Sequence, residues 1–154
     1  MSLVMKTHFV PAVSSRQPEV LTEFETTLNV TVVFTTVNST LAALSKAGDL
    51  ASRLNARIIL LVPEVVPYPL ALEDPPIPLR YKERLIRVVA GQSSIATSVH
   101  LYLCRDRLNT VLAVLAPRSL VVVGGPRRRW LSSENRMARA LKRAGHEVIF
   151  AEGK

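Results

Sequence analysis

The sequence predicts an α/β fold, a three-layer sandwich whose centre is a five-stranded parallel sheet. Three observations carry this expectation. Short apolar runs without polar alternation, at 58–62 and 120–123, have the composition of strands buried on both faces. Stretches with apolar residues at every third or fourth position lie between such runs, as amphipathic helices require. From Asn29 onward the two patterns alternate, which places helices on both sides of one sheet.

The chain of 154 residues fits one domain, long enough to bury a core without disulfides or metal staples. Residues 1–28 read as an N-terminal arm, flexible in the main, with a short strand over 4–13 closed by Pro11. Residues 29–154 read as the α/β domain. Within it, Val30–Val37 is dense in β-branched residues and forms the first core strand. Asn38 or Ser39 then caps a helix whose apolar stripe is Leu41, Leu44, Ala47, Leu50, Ala51 and Leu54, with Asn55 as a left-handed terminator. Ile58–Val62 is the second core strand and completes a right-handed βαβ unit.

Six of the ten prolines fall between Pro63 and Pro78, so that segment is expected to be a surface loop without regular structure. Glu73 and Asp74 inside it are expected to be solvated rather than catalytic. A helix follows from Leu79, with Tyr81, Leu85 and Val88 or Val89 as its apolar face and Arg80, Arg84 and Arg87 opposite. Val99–Cys104 is the third core strand, a helix through Leu108 to Leu115 stops before Pro117, and Leu120–Val123 is the fourth strand. Gly124 and Gly125 end that strand and open a loop containing Pro126, Arg127, Arg128 and Arg129. Ser132 or Ser133 caps the last helix, Gly145 terminates it, and Glu147–Ala151 is the fifth strand.

Charge is unevenly distributed over a chain of net +8. Residues 1–78 hold five Lys/Arg against seven Asp/Glu, and residues 79–154 hold fifteen against five. A basic second half favours anionic partners, although with 5% aromatic residues and no reading module any nucleic-acid contact would be non-specific and salt-dependent. The single cysteine, Cys104, rules out an internal disulfide and suits a reducing cytoplasm. No apolar run reaches the length of a bilayer span, so no membrane partner is expected.

The most suggestive stretch for function is the fourth strand with its following loop and helix. In open α/β sheets ligands bind at the carboxyl ends of strands, where loop amides and helix N-termini converge. Gly124, Gly125, Arg127, Arg128, Ser132 and Ser133 would lie there, as candidates to hold a phosphate or another anion. Trp130 is expected to anchor that loop. His8, His100 and His146 have no metal-ligand spacing with one another or with Cys104, and no metal is expected. Cys104, although it precedes Arg105 and Arg107, is read as a small buried hydrophobe. P-loop, dinucleotide-fingerprint and hydrolase-elbow motifs do not occur, and nothing supplies a catalytic base.

The segments NSTLAALSKAGDLASRLNARIILLV, NTVLAVLAPRSLVVVGGPRRR and ALKRAGHEVIF resemble the universal stress protein family, over roughly residues 29–152. The resemblance implies the strand order 3-2-1-4-5, counting from Val30, and homodimerisation through the last strand by Val148, Ile149 and Phe150. It also implies a non-enzymatic stress or regulatory role with no required cofactor, and, in one branch, binding of ATP or AMP. That branch carries an aspartate after its first strand, where this chain has Val37 followed by Asn38, so the resemblance adds these two to the candidates for a nucleotide or smaller anion, and it has a loop pattern G-x2-G-x9-G-[ST]. Starting from Gly124, its later positions fall on Arg127, Met137 and Ala138, so only the first is kept.

Overall fold

A computed structural model describes residues 3–10, 28–126 and 132–152. The elements in chain order are β1 (Leu3–Val10), β2 (Asn29–Val33), α1 (Val37–Leu54), β3 (Arg57–Val65), α2 (Leu79–Ala90), β4 (Thr97–Cys104), α3 (Arg107–Val114), β5 (Leu120–Gly125), α4 (Ser133–Arg143) and β6 (Glu147–Glu152). Every strand pairing is parallel, and the sheet runs β1-β4-β3-β2-β5-β6. Strands β2 to β6 thus take the expected 3-2-1-4-5 order. The N-terminal arm corrects the strand count, because Leu3–Val10 adds a sixth strand along β4 rather than standing apart.

Alternate strand residues point to opposite faces, and this divides the core in two. Val30, Val32, Ile58, Leu60, Val62, Val99, Leu101 and Val122 pack under α1 and α2. Val33, Ile59, Leu61, Tyr102, Val121 and Val123 pack under α3 and α4. Both faces of the central strands are therefore dry, which accounts for their unbroken apolar composition.

Several boundaries differ from the sequence expectation, each for a local reason. β2 stops at Val33 and α1 starts at Val37, because the Thr36 hydroxyl accepts the Ser39 N–H and so caps the helix ahead of Asn38. At the other end Asn55 is left-handed, φ 53°, and both Asn55 and Ala56 donate to the Ala51 carbonyl, closing the helix as expected. β3 continues through Pro63 to Val65, inside the segment expected to be irregular. Its Leu61 carbonyl accepts from Phe34 on the β2 side, and Pro63, two residues on, faces that same side after β2 has ended. The missing N–H therefore costs no ladder bond.

The rest of the proline-rich segment is held by Arg105, whose guanidinium donates to the Val66 and Leu70 carbonyls at 2.8 and 2.7 Å and lies 4.2 Å over the Tyr68 ring. Glu73 and Asp74 are exposed there, as expected. In α2 the buried residues are Ile86, Val89 and Ala90, whereas Tyr81, Leu85 and Val88 face outward. Two apolar stripes were available, and the inner one is flanked by Lys82, paired with Glu64 at 3.2 Å, and by Glu83, which accepts from Thr7 of β1. Burial of Ile86, Val89 and Ala90 sets the rotation of the helix, which corrects the apolar face expected from the sequence.

The β5 to β6 connection depends on His146. Its buried ring accepts the Ser119 N–H at Nδ1, 3.1 Å, while Glu147 N–H donates to the Ser119 carbonyl. Burial holds the imidazole below its ordinary 6.5, so the fold favours the neutral form. A group whose folded pKa is depressed contributes stability that is intact above the unfolded value and is lost as pH falls. Thermal melts should therefore show His146-dependent stability intact above 6.5 and declining below it. The His146→Asn variant should have a flatter pH dependence over that window; an unchanged slope would contradict the role given to the ring.

Candidate functional site

The carboxyl ends of β2 and β5 are adjacent, and their crossovers leave in opposite directions, α1 to one face and α4 to the other. This is the switch point at which open α/β sheets place ligands. Among the described residues it is bounded by Thr35 and Thr36 between β2 and α1, by Gly124 and Gly125 at the end of β5, and by Pro126 just after it.

The glycine pair lies at the carboxyl end of β5, as expected, but as its last two paired residues, opposite Ala151 and Glu152, rather than as a turn after Val123. Their lack of a side chain serves close approach. A Cβ on Gly124 would collide with the Ser39 carbonyl oxygen and lie 2.6 Å from its carbon, so the first turn of α1 rests directly on the strand backbone. A Cβ on Gly125 would lie 2.8 Å from Glu134 Cβ and 2.8 Å from Phe150 Cζ, so the first turn of α4 rests on the next residue. Two helix N-termini thus meet one dipeptide of β5.

Hydrogen bonds set the register of this contact. Thr35 Oγ1 donates to the Gly124 carbonyl at 3.0 Å, joining the β2 tip to β5. The Thr35 N–H donates to Thr40 Oγ1 at 3.1 Å, which ties the same residue to α1. Ser132 Oγ accepts the Asn135 N–H at 3.3 Å and a side-chain N–H of Asn135 at 3.1 Å, so it caps α4 as the sequence predicted. Chemically, the arrangement offers helix-end amides and hydroxyls to an anion.

The expected site residues are distributed as follows. Gly124 and Gly125 are buried and flanked by the two first turns, Asn38 and Ser133 are exposed, and Ser132 is half-buried. Val37 opens onto a groove between α1 and α2 rather than onto β5. Arg127, Arg128, Arg129 and Trp130 lie outside the described residues. Thr35 and Thr36 escaped the sequence reading because two threonines after a β-branched run look like more strand; the capping spacing from Thr36 to Ser39 was the available signal.

Cys104 and the histidines of the sheet edge lie away from the switch point. Cys104 is buried, its thiol donates to the Glu64 carbonyl at 3.6 Å, and burial pushes its pKa up, which suits a structural rather than a redox residue. His8 and His100, far apart in sequence, come together across β1 and β4: His8 Nε2 lies 3.0 Å from His100 Nδ1, and both rings stack with Tyr102. No group of three His, Cys, Asp or Glu positioned for a metal occurs among the described residues. Nor is any helix there long and apolar enough to cross a membrane.

Val148 and Phe150 of β6 turn toward the α4 side and Ile149 toward α1, all three half-buried. Among the described residues β6 is an edge strand, paired only with β5.

No family model matches the sequence, and no curated protein matches it. Solved structures do. The universal stress protein UspA from Lactobacillus plantarum aligns with 80% of this chain and 97% of its own at 15% identity and TM-score 0.48. A universal stress protein crystallised in complex with cAMP aligns with 83% of this chain and 99% of its own at 14% identity and TM-score 0.51. The likeness is one of architecture: the chain has the universal stress protein fold with a divergent sequence.

The glycine contacts yield a graded expectation. Gly124→Ala should cost more than about 4 kcal/mol or prevent folding, because the obstacle is a backbone carbonyl. Gly125→Ala should cost about 1–3 kcal/mol, since the Glu134 side chain and the Phe150 ring edge can shift. Urea titration of both variants checks this; equal, small losses would contradict the packing described. Cys104 should resist iodoacetamide in the native protein and react after denaturation, as mass spectrometry would show.

Proposed function

We propose that this chain, with the universal stress protein fold, is a non-enzymatic stress-response or regulatory domain of the cytoplasm. In this reading its β2/β5 switch point takes a nucleotide phosphate or smaller anion weakly, and occupancy alters contact with a partner. The observation that carries it is the convergence of the α1 and α4 first turns on Gly124 and Gly125, which directs positive helix ends to one place. The solved neighbour in complex with cAMP supports a nucleotide as one occupant. Arg127 and Arg128 follow β5 directly in sequence and would add cationic partners for phosphate.

The carboxylates nearest the β5 tip among the described residues are Glu134, which packs on Gly125, and Glu152, in register with it, and no third ligand-type side chain joins them, so the reading rests on binding rather than turnover. A homodimer through β6 fits its place at the sheet edge. The degraded glycine pattern weighs against the family's full ATP site and toward low affinity. Non-specific attraction of nucleic acid by the basic second half is the remaining reading.

Equilibrium dialysis against ATP, ADP, AMP and cAMP tests the proposal. Retention should be weak, with Kd on the order of 0.1–1 mM. It should fall in the Arg127→Ala/Arg128→Ala variant, with no sustained phosphate release from ATP. Absence of retention of all four at physiological salt would leave a scaffold domain, and sustained turnover would overturn the non-enzymatic assignment. Light scattering at micromolar concentration should give a dimer; a monomer would remove the β6 interface.

A further inference from the structure

The outward face of α2 has no role in the fold or in the site just described. Tyr81, Leu85 and Val88 stand at i, i+4 and i+7, so they form one stripe, and they are 56%, 39% and 64% exposed. Ile77, in the loop just ahead of α2, is 49% exposed as well. Arg80, Arg84 and Arg87 form a second exposed stripe one residue out of step, immediately beside the first. None of the three arginines makes an ion pair or hydrogen bond with a described residue, and the helix's single acidic residue, Glu83, is engaged inward by Thr7.

A soluble domain gains nothing from four large apolar side chains in water beside uncompensated like charges, so the face needs an anionic and apolar counterpart. A second copy of the chain would oppose arginine to arginine. Tyr81 and Leu85 stand on the outer ridge of the helix, and Val88 lines the groove between α2 and α1, so the stripe is continuous with that groove. Tyrosine and arginine both pair an apolar body with a polar tip, as the boundary between headgroups and acyl chains requires. The groove, of about 640 Å³, is lined by Leu41, Leu44, Val89 and Ile95 together with polar residues that include Asp49. Gly48 opens into it with no atom within 4 Å of a would-be Cβ, which leaves room for acyl carbon.

We propose that α2 is a peripheral docking face for an anionic lipid bilayer, with Tyr81, Leu85 and Val88 at the acyl boundary and Arg80, Arg84 and Arg87 on headgroup phosphates. No segment spans the bilayer; contact is reversible and salt-dependent. The proposal does not rest on the nucleotide reading, and its failure would leave that reading intact.

Cosedimentation of the full chain with vesicles tests it, comparing phosphatidylcholine alone with an equimolar mixture of phosphatidylcholine and phosphatidylglycerol. The protein should partition into the mixed vesicles and not into pure phosphatidylcholine. Leu85→Ser/Val88→Ser, which leaves the charge unchanged, should weaken partition roughly tenfold. Arg84→Gln/Arg87→Gln should weaken it roughly tenfold as well. Lys142→Gln/Arg143→Gln, two exposed cations at the end of α4, should change it no more than about twofold, which separates this face from general attraction to a basic protein. The substituted side chains are exposed, so circular dichroism should show the native spectrum; if the serine variant does not fold, the two charge pairs decide the outcome. No partition into mixed vesicles, or equal losses in both charge pairs, would overturn the proposal. Retention on immobilised polyglutamate without vesicle partition would also overturn it and reassign the face to an acidic polypeptide.

Discussion

The contact between the Ser39 backbone and Gly124 is the constraint on which the rest of the architecture depends. It sets the height of α1 above the sheet and thereby decides which residues of β2 and β5 lie beneath the helix. The Thr35 hydroxyl, bonded to the Gly124 carbonyl, keeps the two strand tips level with each other. On the other face Gly125 does the same for α4, so one dipeptide positions both helices that flank the switch point. Neither residue has an unusual backbone angle reason to be glycine; each is small because something must approach closely.

This explains why a glycine pair after an apolar strand misled the sequence reading. Gly-Gly signals either a turn or a close approach, and only the tertiary neighbours distinguish the two. The five core strands were legible because β-branched residues and leucine occupy both faces of a doubly covered sheet, as in Ile58–Val62. The helix ends at Asn55 and Gly145 were legible too, since each rests on a left-handed residue, φ 53° and 96°. The strand of the N-terminal arm was harder to place because β1 pairs with β4, some ninety residues away, and no local pattern encodes that partner. For the same reason His8 and His100 looked like unrelated histidines.

In α2, periodicity picked Tyr81, Leu85 and Val88 or Val89 as the apolar face, whereas the core takes Ile86, Val89 and Ala90. Only the tertiary neighbours distinguish the two stripes, and Lys82 with Glu64 and Glu83 with Thr7 lie beside the buried one. The stripe left outside is therefore a consequence of how the helix is held, and its exposure beside three arginines distinguishes it from scattered surface leucines. The candidate ligand site was legible only in outline. Strand tip and helix starts were evident, whereas the capping threonine and the seating of each helix on its own glycine required coordinates.

The fold and the switch point thus arise from the same few contacts, and the proposed ligand reading stands or falls with the helix amides that those contacts bring to the strand tips. The most direct test is an amide-resolved NMR titration with AMP and, separately, with inorganic pyrophosphate. The account predicts shift changes concentrated at Val37, Asn38 and Ser39 in α1 and at Ser133, Glu134 and Asn135 in α4, with saturation in the millimolar range or below. Shifts confined to other parts of the molecule, or none at any concentration reached, would contradict it.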